Sequence, residues 1–210
     1  MADPLEKVHD TRGLLIVLSG PSGVGKNSII DRVREMRERT VHSVSMTTRA
    51  PRAGEVDGVA YHFTTKARFE ALIEQGDMLE CDEYCGAYYG TPRRPIDAMN
   101  RDNIDVLLDL TVKGALALKQ TCPNAVIIFV LPPSEAALTE RLTTRGTEPP
   151  DVVRRRILKA RDEFRAMREF DYWVLNDVVD DAARRVNAII DAEKHRISRL
   201  FVDDMPLKPV

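Results

Sequence analysis

The stretch "LLIVLSGPSGVGKNS", residues 14–28, constrains this chain more than any other. An aliphatic run ends in a glycine-rich loop, and a helical pattern follows it. The loop fits G-x-x-x-x-G-K-[ST] at Gly20, Gly25 and Lys26, and departs from it at Asn27, where Ser or Thr is expected. Glycines at 20, 23 and 25 let successive backbone N–H groups turn toward one anion. The start of the following helix adds partial positive charge. The bland alternative is a glycine-rich turn between a strand and a helix, but the context is that of a phosphate-binding loop. Its expected members are Gly20, Pro21, Ser22, Gly23, Val24, Gly25, Lys26, Asn27 and Ser28. Asn27 lacks the hydroxyl that usually meets Mg²⁺. Its amide oxygen is a neutral ligand, direct or through a water. Ser28 points about 100° further around the helix. Weaker metal binding with intact phosphate cradling is the expectation.

Such a loop implies a particular fold, and the rest of the chain agrees. Aliphatic segments at 14–19, 104–110, 125–131 and 172–175 read as buried parallel strands. Helical patterns follow at about 26–38, 112–120, 134–144 and 180–198. Strand and helix in alternation predict an α/β, doubly wound parallel sheet. Residues 45–100 break the rhythm with "RAPRAGEVDG", "VAYHFT", "KARFEALIEQG" and "MLECDEYCGAYYG", and read as an inserted small mixed-β lobe. The Pro-Pro of "RGTEPPD" forbids a continuous helix, and Asp151 is the expected N-cap of the next one. The expected division is a leader at 1–12, a domain at 13–200 and a tail at 201–210. Within the domain, 13–44 and 101–200 form the core, and about 141–160 a short helical lid.

Composition narrows the partners. A net charge of −2 gives no general case for a nucleic-acid binder. The apolar runs are too short to span a bilayer, so no membrane partner is expected. Three cysteines, without redox or zinc spacing, read as reduced thiols of a cytoplasmic protein. The C-terminal helix could pack within a monomer or in a homodimer. Against the acidic total, residues 141–168 carry nine Arg or Lys and four acids. Arg141 and Arg145 share a helix face, and Arg154, Arg155 and Arg156 open the next pattern. A solvated basic face is the plain reading. Beside a phosphate loop, a basic lid that neutralises transferring phosphate is the sharper one.

After the loop come "SVSMTTRAPRAGEVDGVAYHF", "MLE", "AYYGTP", "LLDL", "ERLTTRGTE" and "DYWVLND", in that order. Over about 13–200 the chain resembles the guanylate kinases, which convert GMP and ATP to GDP and ADP. The resemblance implies ATP and GMP as substrates, Mg²⁺ with the ATP, and an inserted lobe that binds the nucleoside monophosphate. It implies that Ser45, Arg49, Arg52, Tyr61 and Tyr89 hold the GMP phosphate. Two guanidinium forks among hydroxyls suit that task. It places Glu80 on the guanine ring N–H and amino group, Thr91 on the guanine carbonyl, and Asp109 near the metal, through water, and the transferring phosphate. Arg141, Arg145 and Arg156 match lid and catalytic arginines, with Arg49 also facing the transfer. Asn176 falls in the motif near the adenine. The reaction needs no histidine base, so His42 and His62 are expected to be incidental.

Two further departures accompany Asn27. Where the family strand reads D-I-D-x-Q-G, this chain has "DLTVKG". Thr111 replaces a second acid that helps to read the guanine amino group, and Lys113 replaces a glutamine. A neutral hydrogen bond in place of a charge-assisted one loses about 1 kcal/mol. Two alternatives follow. One is a related phosphotransferase with another acceptor, such as ribose 1,5-bisphosphate. The other is a non-catalytic guanylate-kinase-like binding module.

Overall fold

The computed structural model describes residues 12–52, 54–84, 86–144 and 150–199. The expected lid residue Arg145 lies outside them, as do residues 1–11 and 200–210. Along the chain the elements are β1 (Leu15–Ser19), α1 (Lys26–Met36), β2 (Thr40–His42), β3 (Met46–Thr47), β4 (His62–Phe63) and α2 (Lys66–Glu74). There follow β5 (Met78–Tyr84), β6 (Ala87–Pro92), α3 (Arg93–Arg101), β7 (Asp105–Asp109) and α4 (Val112–Thr121). The last are β8 (Val126–Leu131), α5 (Glu135–Thr144), α6 (Pro150–Arg165), β9 (Tyr172–Leu175) and α7 (Val179–Lys194).

Alternation along β1 decides the layering. Leu14, Ile16 and Leu18 face α1 and α7, where they meet Ile29, Ile30, Val33, Val186 and Ile190. Leu15 and Val17 face the other way, onto Ile96 of α3 and Ala115 and Leu118 of α4. A strand apolar on both faces needs helices on both faces. Each fully buried Ile or Leu contributes about 1.5–3 kcal/mol, so the two layers hold the sheet from both sides. The sheet runs β2-β7-β1-β8-β9, all parallel. The chain winds toward β2 and β7 first and toward β8 and β9 later. The loop after β1 therefore sits where the winding reverses, at the strands' carboxyl ends, which is where such sheets bind ligands.

A second, four-stranded sheet runs β4-β3-β6-β5. It is mixed: β3 pairs parallel with β4 and antiparallel with β6. Its own core is Phe69, Leu72 and Met78, with Tyr88 stacked on Phe69 at 5.4 Å.

At the far end of the main sheet, buried charges fix α7. Asp105 is 2% exposed, accepts the Leu14 N–H and pairs with Lys194 at 2.9 Å. Glu193 is 1% exposed and accepts from the Tyr172 hydroxyl, Arg196 and Arg199. Burial opposes its ionisation, but those donors hold its pKa below the usual value. Removing one partner from such a pair leaves a buried charge unmatched, which is costly.

Several boundaries differ from the sequence reading. α1 stops at Met36 and α7 at Lys194, short of 38 and 198. α6 starts at Pro150, so Asp151 lies in its first turn and is not its cap. Proline suits that start because its missing N–H would have no helical partner. The edge strand β2 and the helix α3 were not expected. Pro95 within "RRPIDAMNR" disguises α3, yet it falls in the first turn, where proline is tolerated.

Candidate active site

The loop after β1 has no space for side chains at two of its glycines. Gly20 has φ 133°, and a Cβ there would lie 2.6 Å from the Val130 carbonyl oxygen. Gly25 has φ 93°, and a Cβ would lie 2.5 Å from Asn176 Nδ2. Behind the loop, Asn176 Nδ2 donates to the Val24 carbonyl at 2.7 Å. Arg141 donates to the same carbonyl at 3.3 Å and to the Asn176 carbonyl at 3.0 Å. Asn176 is 2% exposed, and its Oδ1 is buried with no hydrogen-bond partner. These two residues buttress the loop, a role the sequence reading missed. Arg156 Nη1 donates to the Ser22 hydroxyl at 3.3 Å and brings α6 to the loop's outer side. Lys26 Nζ donates to Gly20 O at 3.1 Å and stands 3.4 Å from Asp109 Oδ1. Asn27 and Ser28 are exposed in the first turn of α1.

Asp109 ends β7, and from there the chain passes directly to the second half of the site. Thr111 is the N-cap of α4, and its Oγ1 accepts the Gly114 N–H at 3.1 Å. A Cβ placed on Gly114 would lie 3.3 Å from Thr111 Oγ1 and 3.2 Å from Glu80 Oε2. Thr111 and Glu80 thus close around one glycine. Glu80 pairs with Thr91 across β5 and β6, and the Thr91 hydroxyl donates to Glu80 Oε1 at 2.8 Å. Burial pushes the Glu80 pKa up to about 7, against the Thr91 hydrogen bond, which lowers it. Lys113 pairs with Asp82 of β5, tying α4 to the small sheet. A glutamine at 113 would lack that charge.

The remaining acceptor-side candidates gather beside β3 and β6. Arg49 lies 5.5 Å from the Tyr61 ring and 5.8 Å from the Phe63 ring. Tyr61 and Tyr89 meet edge-on at 5.9 Å. Burial raises the Tyr61 pKa, so its hydroxyl keeps its proton at neutral pH. Ser45 is half-buried immediately before β3, and its carbonyl accepts the His62 N–H. Arg52 is exposed. Glu55, which the sequence reading left without a role, accepts from Arg49 Nη2 at 2.9 Å and from the Arg52 backbone N–H at 2.7 Å. Its signal was its place in "RAPRAGE", three residues beyond one arginine and six beyond the other. His42, at the end of β2, has its pKa lowered by burial, against the field of Asp109, which raises it.

A phosphate-binding loop on a doubly wound sheet, joined through Asp109 and Thr111 to a carboxylate, arginine and tyrosine cluster, defines a P-loop phosphotransferase. The guanylate kinase family model matches residues 12–193. A guanylate kinase of Streptococcus agalactiae is 50% identical over 191 residues, covering 90% of this chain and 91% of that protein. One from Lactococcus lactis is 47% identical over 190 residues, covering 90% of this chain and 93% of that protein. The crystal structure of guanylate kinase from Anaplasma phagocytophilum superposes with a TM-score of 0.71 at 29% identity, covering 90% of each chain. The chain belongs to the guanylate kinase family.

No helix among the described residues is long and apolar enough to cross a membrane.

Proposed function

We propose that this chain transfers the γ-phosphoryl group of ATP to GMP, giving GDP and ADP. One observation carries the reading. Asp109 stands beside Lys26 on one side, and Thr111, two residues on, closes with Glu80 around Gly114 on the other. A triphosphate on the loop and a purine on Glu80 would then present their phosphates to each other across the end of β7.

The roles follow from the chemistry of each side chain. Backbone N–H groups of residue 20 and residues 22–28 hold the ATP phosphates, Pro21 having none to give, with Arg141 and Asn176 keeping the loop in shape. Lys26 exchanges the Gly20 carbonyl for phosphate oxygens. Arg49, Arg52, Ser45, Tyr61 and Tyr89 hold the GMP phosphate. Glu80 accepts the guanine N–H donors, the Thr91 hydroxyl turns its one proton from Glu80 to the guanine carbonyl, and the Thr111 hydroxyl stands beside the purine edge. A GMP phosphate oxygen is already a nucleophile, so no side chain has to remove a proton. Arg156, with Arg145 on the expected lid at about 141–160, meets the charge spread over the moving group. Closure of the small sheet over the core excludes water as a competing acceptor.

Asn27 and Asp109 fit Mg²⁺ as a neutral amide oxygen and one carboxylate. Among the described residues, no group of three or more His, Cys, Asp or Glu could cage a metal ion. That donor set suits an ion that keeps its waters and takes phosphate ligands. When bound with ATP, Mg²⁺ neutralises charge on the outer phosphates.

The test is ADP release from Mg-ATP with GMP, dGMP, AMP, IMP and ribose 1,5-bisphosphate offered separately. Release with GMP well above AMP and the ribose bisphosphate is the expected outcome. A response to ribose 1,5-bisphosphate instead, or silence across the panel, would overturn the reading.

A further inference from the structure

The two clamp arginines are held by a single acid. Glu55 Oε1 accepts from Arg49 Nη2 at 2.9 Å, while Oε2 accepts the Arg52 backbone N–H at 2.7 Å. The Glu55 N–H donates back to the Arg52 carbonyl at 3.1 Å and closes the turn. The Arg49 and Glu55 side chains are only 18% and 20% exposed. Arg49 is fixed from other sides as well. Its Nη1 donates to the Ala50 carbonyl at 2.7 Å, and its guanidinium stands against the Tyr61 and Phe63 rings. Guanidinium carries five N–H donors, and these bonds engage two of them. The fork keeps donors for a phosphate while its position is set. A free arginine side chain loses about 2 kcal/mol of rotamer entropy when it is ordered. A clamp ordered in advance meets that cost in folding and not in binding.

We propose that Glu55 is a positioning residue of the acceptor site. Its one carboxylate sets the Arg49 side chain and the Arg52 backbone together, and so fixes the clamp before a monophosphate arrives. The inference rests on the reading of Arg49 and Arg52 as the GMP-phosphate clamp. Glu55 does not touch the substrate. It acts through both arginines, and its effect is confined to the phosphate end of the acceptor.

That confinement gives a readout that general damage to the small sheet does not mimic. Affinities for GMP and for guanosine, measured by calorimetry without ATP, separate the phosphate end from the base end. Glu55→Gln keeps the length of the side chain and one acceptor oxygen but loses the charge. The expected result is about a tenfold loss of GMP affinity, the scale of one charge-assisted hydrogen bond, with guanosine affinity unchanged. Glu55→Asp keeps the charge but is one methylene too short to reach both partners, so GMP affinity falls there too. Arg49→Ala, run in parallel, tests the clamp itself. If Arg49→Ala leaves GMP affinity intact, the clamp reading fails and the proposal with it. If Arg49→Ala weakens GMP but Glu55→Gln does not, the proposal alone is overturned. Tighter GMP binding in Glu55→Gln overturns it as well, because Glu55 would then compete with the phosphate. Equal losses for GMP and guanosine overturn it in favour of a general structural role.

Discussion

Replacing Glu80 by glutamine should stabilise the protein and weaken its binding of GMP, and both effects should depend on pH. Burial raises the Glu80 pKa from 4.5 to about 7. The folded protein therefore holds this proton more tightly than the unfolded chain does. For a carboxyl raised in this way, the stabilising contribution is complete below about pH 4.5 and is lost as pH rises through about 7. A shift of this size corresponds to about 3 kcal/mol, at 1.36 kcal/mol per pH unit. Glutamine cannot ionise. The stability of Glu80→Gln relative to wild type should grow by about 3 kcal/mol between about pH 4.5 and about pH 8. Binding runs the other way. Guanine offers N–H donors that need the ionised carboxylate, so wild-type affinity for GMP should fall up to tenfold per pH unit below about 7. The GMP phosphate itself titrates near pH 6. Glu80→Gln retains that dependence and supplies the baseline, at an affinity lower by roughly 10- to 100-fold, the scale of a hydrogen bond to a charged group. Urea unfolding and calorimetric GMP titration across this range measure both effects. Parallel stability curves for the two proteins, or identical pH dependence of GMP binding, would refute the reasoning.

Other changes have equally definite outcomes. Gly20→Ala puts a Cβ 2.6 Å from the Val130 carbonyl oxygen at φ 133°, so ATP affinity and melting temperature should both fall, with a stability loss of about 1–3 kcal/mol. Asn176→Ala leaves the buried Val24 carbonyl without its 2.7 Å donor, and KM for ATP should rise several-fold with KM for GMP held. Thr111→Asp keeps the cap on α4, because aspartate caps as well as threonine. It should raise GMP-over-IMP selectivity several-fold and push the Glu80 pKa higher still, as a neighbouring like charge does. Asn27→Ser restores the hydroxyl at the metal position and should lower the Mg²⁺ concentration needed for half-maximal rate.

What the sequence revealed about the fold came from features with their own geometry. Gly20 and Gly25 announce the loop because no other residue fits their φ values and contacts. The buried strands announce themselves because they are apolar on both faces. Strand β2 escaped notice because three residues carry too little periodicity, and α3 because Pro95 obscures a helix that tolerates it. In the site, Glu80 and Thr91 were legible only through their motif, since nothing local says that a carboxylate on β5 is buried against a threonine on β6. Glu55 acts within its own turn, on the Arg49 side chain and the Arg52 N–H, whereas Arg141 and Asn176 act on backbone carbonyls of other segments. Such contacts, 152 residues apart for Asn176 and Val24, exist only once the chain has folded.

The central claim is that one cleft joins ATP on the loop to GMP on Glu80 and its arginines. The most direct test supplies Mg-ATP labelled in its γ-phosphate together with unlabelled GMP, and identifies the labelled product by chromatography. The account predicts label in GDP from the wild-type protein, and almost none from a folded Lys26→Met variant. Folded wild-type protein that leaves GDP unlabelled, or carries the label to a different acceptor, would contradict it.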